Sequence, residues 1–154
     1  MNAFKKPIHR DDLMPVIQSG IFIAIISGLL TGAIKLMVEE AFGISLQLFF
    51  LVILAFYIAR RIKSSYSEYH ILYSMLTVVS FIVAFYIMNS TYLIGYFFMR
   101  DINVFQAEVL KIVFNPRFSF YFLDIASPDF FDISNLLELI FFLIGGIYAF
   151  LKSK

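Results

Sequence analysis

Four polar side chains stand within or at the ends of otherwise apolar stretches: Lys35, Gln47, Asn89 and Glu138. A charge in an apolar helix is expensive inside a membrane and therefore marks a functional candidate. Lys35 precedes Glu39 by one helical turn, so the two can pair on one face. Lys before Glu is the weaker order for such a pair, and a long stem near a helix end can also carry its ammonium to the interface. Asn89, with Ser90 and Thr91, forms a polar island whose atoms need partners wherever water is excluded. Interhelical hydrogen bonds of about 0.6–2 kcal/mol each would satisfy it, and the lining of a conduction path is the alternative. Gln47 and Glu138 fall at a similar depth. The four residues form a predicted polar cluster, either structural glue or a transport site.

Enzyme chemistry finds little to work with. Cysteine is absent, which removes disulfides, thiolate nucleophiles and Cys-based metal sites. The histidines are His9, near the N-terminus, and His70, in a short Tyr-rich turn; neither stands in an H-E-x-x-H spacing. Gly145-Gly146 follows no strand, and no phosphate-cradling loop occurs. The expectation is a non-enzymatic protein with no cofactor and no metal.

Composition demands a membrane. Hydrophobic residues are 61% of the 154-residue chain and charged residues 15%, against about 25% charged in soluble domains. A net charge of +1 excludes the concentrated basic surface that nucleic acid requires. The predicted fold is all-α: one polytopic integral membrane domain over residues 1–154, with four transmembrane helices. The spans fall at about 16–38, 41–59, 71–94 and 135–151, each judged against the roughly 20 residues that cross a bilayer. The apolar third stretch itself runs on to residue 99, so its end must tilt, kink or project. The first run exceeds the roughly 7–15 residues of a signal-peptide core and reads as a retained anchor.

Along the first span, Gly20, Ala24, Gly28 and Gly32 recur every fourth position. Small residues in one stripe let a second helix approach backbone to backbone. That partner is either another span of this chain or a helix of another protein.

Basic residues set the orientation. Lys5, Lys6, Arg10, Arg60, Arg61, Lys63, Lys152 and Lys154 outnumber Lys35, Arg100, Lys111 and Arg117 on the other side. The positive-inside bias then places both termini in the cytoplasm. Arg60, Arg61 and Lys63 would meet anionic lipid head groups. Rich Phe, Ile, Lys and Asn usage fits a bacterial cytoplasmic membrane.

The outer loop, about 100–134, is predicted to carry a short interfacial helix over 103–114, opened by an Asn103–Gln106 capping box. The aromatics beyond it, Phe118, Phe120, Tyr121, Phe122, Phe130 and Phe131, alternate with acidic residues and suit a bilayer interface. They form either a surface flap or a re-entrant cover over a site. Ser134, or Asn135 with Glu138, would cap the last span. The leading functional expectation is an accessory or structural subunit that packs against other membrane proteins or itself. The alternative is a small transporter or pore with a polar path in the outer half of the bundle.

Overall fold

The computed structural model describes residues 10–154, and every regular element among them is helical. Lys5, Lys6 and His9 lie outside the described residues. Helix α1 spans Arg10–Phe42, α2 Gln47–Lys63, α3 Ile71–Met99 and α6 Ile133–Lys152. Between α3 and α6 come two short helices, α4 (Ala107–Val113) and α5 (Pro116–Ser119), and 3-10 turns at Tyr121–Leu123 and Pro128–Phe131.

Among the described residues three helices, not four, are long and apolar enough to cross a membrane: Asp11–Phe42, Ile71–Met99 and Ile133–Lys152. The shortfall is in α2. Ala41 and Phe42, expected in the second span, continue α1 instead. Gly43, at φ +65°, ends that helix, its N–H donating to the Glu39 carbonyl at 2.8 Å. This left-handed cap is one that glycine adopts without strain. Residues 43–46 become the connection, which leaves α2 with 17 residues, about 25 Å at 1.5 Å per residue.

Hydrogen bonds fix the helix directions. At one end, Ser65 Oγ donates to Ser19 Oγ at 2.7 Å, and Ser67 donates from N and Oγ to Asp12 at 3.1 and 2.8 Å. The Tyr66 hydroxyl donates to the Ser153 carbonyl, and Ser153 Oγ reaches Ser74 Oγ at 3.0 Å. The start of α1, the α2–α3 turn and the end of α6 therefore meet. It follows that α1 and α3 run one way through the bundle, and α2 and α6 the other. His70 caps α3, its Nδ1 accepting from Leu72 N at 3.1 Å.

The small-residue stripe faces α3. A Cβ on Gly28 would lie 2.7 Å from the Ala84 carbonyl oxygen and 2.8 Å from Ile87 Cβ. One on Gly20 would lie 2.7 Å from Ser80 Oγ, and one on Gly32 would strike the Met88 carbonyl. Ala24 is fully buried in the same seam. The partner left open by the sequence is thus a helix of the same chain.

Two expected caps do not form. Asn103 turns back on itself, its Oδ1 accepting from Phe105 N at 3.0 Å, and α4 begins only after Gln106. A short Asn side chain satisfies its own turn more readily than a distant helix end. Helix α6 begins behind Asp132, because the preceding 3-10 turn delivers helical backbone early. Ser134 and Asn135 consequently fall inside the first turn, with Asn135 buried.

The loop aromatics divide. Phe122 is fully buried, and its ring lies 5.8 Å from Phe85 and 5.4 Å from Phe142. Phe120 packs on the same cluster, 5.4 Å from Phe85. Phe118, Tyr121 and Phe131 stay exposed. The loop is therefore pinned into the bundle rather than laid flat on it. Outside the core, Ile21, Phe22, Ile25, Leu29, Leu30, Ile34, Val79, Leu143 and Ile147 present exposed apolar side chains along the three long helices.

Candidate functional site

Lys35, Gln47, Asn89 and Glu138 line one cavity of about 170 Å³, together with Tyr92, Leu93, Phe118 and Tyr121. Each of the four predicted polar residues comes from a different long element: Lys35 from α1, Gln47 from the first residue of α2, Asn89 from α3 and Glu138 from α6. They meet because all four positions are at the bundle end away from the Tyr66–Ser153 tie.

Lys35 is 9% exposed, and its Nζ sits 4.6 Å from the centre of the Tyr92 ring. The ring face offers a cation partial compensation for lost water. Glu39 and Glu138 act on the ammonium through space. Among the described residues neither carboxylate forms a salt bridge with it within 4.0 Å. Glu39 instead accepts from Ser45 Oγ at 2.9 Å and interacts with the Tyr92 hydroxyl.

Gln47 Oε1 is buried and has no hydrogen-bond partner among the described residues. An acceptor in that state loses its hydration without a replacement, a loss of about 1–3 kcal/mol. Asn89 is better served: its Nδ2 donates to the Ser119 carbonyl at 3.3 Å. Ser90 Oγ and the Tyr86 hydroxyl likewise donate to Val113 and Phe114 carbonyls, at 3.2 and 2.8 Å. The polar island thus holds the α3–α6 loop, where the sequence pointed to bonds with neighbouring spans. These carbonyls lie at the C-terminal ends of α4 and α5, where the last turn leaves acceptors without an intrahelical donor.

The cover over the cavity is made by Phe118 and Tyr121. The Tyr121 hydroxyl interacts with Glu138; partial burial first, and that carboxylate second, hold its phenol above the ordinary tyrosine range. The same two residues also wall an outer pocket of about 600 Å³, shared with Asn115, Arg117, Asp124 and Ser134. There Arg117 Nη2 lies 2.7 Å from Asp124 and, by hydrogen bonding, holds that carboxyl below its ordinary range. A polar outer bowl and a polar inner cavity therefore share one aromatic partition. Deeper in the bundle, one turn before Asn89, Phe85 begins the packed cluster with Phe81, Phe122 and Phe142.

Tyr92, Phe118 and Tyr121 are site residues that the polar pattern alone missed. Tyr92 stands three positions after Asn89 and shares its helix face, a signal available in the spacing. Arg60, Arg61 and Lys63 are exposed at the far end of α2, remote from this site. Among the described residues no group of three or more His, Asp or Glu side chains converges as a metal site. Comparison with family models, curated proteins and solved structures finds no match for the chain.

Proposed function

We propose that the chain is a small, non-enzymatic multi-pass membrane protein that binds a small polar solute in the outer half of its helix bundle, as a transport or solute-capture protein. The observation carrying this reading is the convergence of Lys35, Gln47, Asn89 and Glu138 on one cavity under the Phe118–Tyr121 cover. A cluster serving only as glue would satisfy its own members. Here a buried acceptor, Gln47 Oε1, goes without a partner among the described residues, beside a buried ammonium. The subunit reading rests on the glycine stripe, and that stripe is occupied by α3.

In this reading the three long helices cross the bilayer, with α2 as a shorter antiparallel member whose arginines reach the head groups. Arg60, Arg61, Lys63, Lys152 and Lys154 gather at the end opposite the cavity, which favours both termini in the cytoplasm and the cavity toward the outside.

The test is solute access and flux. The protein in liposomes, carrying Leu93→Cys in the cavity wall, is treated with a small membrane-impermeant thiol reagent, and solute uptake is measured alongside folded yield. Labelling from the outer side, and uptake that Lys35→Met changes at constant yield, are expected. A cavity closed to the reagent from both sides, with no uptake, would overturn the reading. Cross-linking in native membranes to one defined partner, without uptake, would favour the subunit role instead.

A further inference from the structure

We infer that the solute is a small α-amino acid in its zwitterionic form, an inference that rests on the cavity being a solute site. Size sets the first bound. The volume of about 170 Å³ is close to the roughly 150 Å³ of an engineered protein cavity that accepts benzene, a molecule of about six non-hydrogen atoms. Glycine and alanine fit that bound, whereas aromatic amino acids and sugars exceed it.

Charge sets the second. Lys35 is a donor-only group, 9% exposed, touching a ring face and no carboxylate at salt-bridge distance among the described residues. It lacks an anion. Gln47 Oε1 is a buried acceptor that lacks a donor among the described residues. Glu138 interacts with the Tyr121 hydroxyl, and a carboxylate, with about four lone-pair sites, keeps room for a further donor. A simple anion would satisfy Lys35 while being repelled by Glu138 and leaving Gln47 unmet. A simple cation would satisfy Glu138 and Gln47 while being repelled by Lys35. A molecule carrying carboxylate and ammonium on one carbon answers all three: carboxylate to Lys35, ammonium to Gln47 and Glu138.

Leu93 and Phe118 complete the lining and give a short apolar side chain somewhere to rest. Asn89, committed through Nδ2 to the Ser119 carbonyl, keeps its amide oxygen as a further acceptor.

The experiment uses the full chain in lipid nanodiscs and calorimetric titration with glycine, L-alanine, L-tryptophan, acetate and methylamine. Saturable binding of glycine and L-alanine is expected, with acetate, methylamine and L-tryptophan weaker by about tenfold or more. Lys35→Met and Glu138→Gln should each weaken glycine by about tenfold or more, the value of one charged hydrogen bond. Because these variants can fail to fold, a second measurement keeps the native site: glycine should slow thiol labelling of Leu93→Cys, and acetate should not. Acetate or methylamine binding as well as glycine would overturn the zwitterion assignment. So would labelling of Leu93→Cys that no amino acid slows, which sinks the ligand class but leaves the solute site standing. Failure of both labelling and binding would sink the site itself.

Discussion

Lys35 of α1 and Tyr92 of α3 face one another across the bundle, the ammonium nitrogen 4.6 Å from the ring centre. The contact turns the lysine inward, where its position near a helix end would equally allow the head to reach the interface. It also links two groups of the cavity wall, because the Tyr92 hydroxyl continues to Glu39. The ring positions the ammonium, and the hydroxyl positions the carboxylate.

Removing the ring should therefore cost more than removing the hydroxyl. Tyr92→Leu loses the cation–π contact, worth about 2 kcal/mol when desolvated, and leaves Lys35 buried beside an aliphatic surface. Tyr92→Phe keeps the ring and loses only the link to Glu39, about 1 kcal/mol. Thermal unfolding in detergent should rank Tyr92→Leu below Tyr92→Phe, and Tyr92→Phe just below the native protein. The reverse ranking would remove the ring's role.

The α1–α3 seam gives a prediction of opposite sign to helix propensity. Glycine within a helix is normally improved by alanine, by about 0.5–1 kcal/mol. At Gly32 the added Cβ strikes the Met88 carbonyl, and at Gly28 it lies 2.7 Å from the Ala84 carbonyl oxygen. Backbone atoms yield poorly, so Gly32→Ala and Gly28→Leu should each destabilise by about 1–3 kcal/mol through overpacking. Ile26→Leu, on the exposed side of α1, should be nearly silent in the same thermal assay. Equal tolerance of all three would refute close packing.

The grouping of the polar residues was legible because an apolar run has two ends, and each polar position can be counted from one of them. Lys35, Gln47, Asn89 and Glu138 could be grouped on that basis before any contact was known. The stripe's face was legible from its four-residue period, but its partner was not, because spacing on one helix says nothing about which neighbour fills it. The second span was overextended because Ala41 and Phe42 are as apolar as the stretch beyond Gly43. Only the left-handed turn at Gly43 assigns them to α1. The inward turn of Phe120 and Phe122 was not legible. Aromatics among polar residues suit an interface and a core alike, and the choice depends on the space beside Phe85 and Phe142.

Alkaline pH should loosen the end opposite the cavity. Burial, and then neighbouring Tyr69 and Tyr73, push the Tyr66 phenol up to about 12 from 10.0. A folded pKa above the unfolded one means that the fold favours the protonated form, so its contribution is whole below pH 10.0 and fades as pH rises toward about 12. Ionisation also removes the donor to the Ser153 carbonyl. Unfolding midpoints measured across this range should fall less steeply in Tyr66→Phe than in the native protein. Parallel curves would show that Tyr66 carries none of the dependence.

Orientation can be read without background because the chain has no cysteine. Ala126 and Ser64 are both exposed and belong to opposite ends of the bundle. In intact cells an impermeant thiol reagent should label Ala126→Cys and leave Ser64→Cys untouched. Labelling of Ser64→Cys alone would invert the topology and turn the cavity toward the cytoplasm.

The partition between bowl and cavity gives the last prediction. Phe118 and Tyr121 wall both spaces, so they control what passes from one to the other. Phe118→Ala shortens the partition without touching a hydrogen bond of the site, and it should raise the rate at which thiol reagents reach Leu93→Cys several-fold, most for the bulkier reagents. Tyr121→Phe keeps the ring but removes the hydroxyl that interacts with Glu138, so access should change little while that carboxylate loses its phenol partner. Full-chain protein in nanodiscs, labelled with a series of reagents of increasing size, separates the two effects. If Phe118→Ala leaves every rate unchanged, the aromatic pair is not the barrier, and solute must enter by another route.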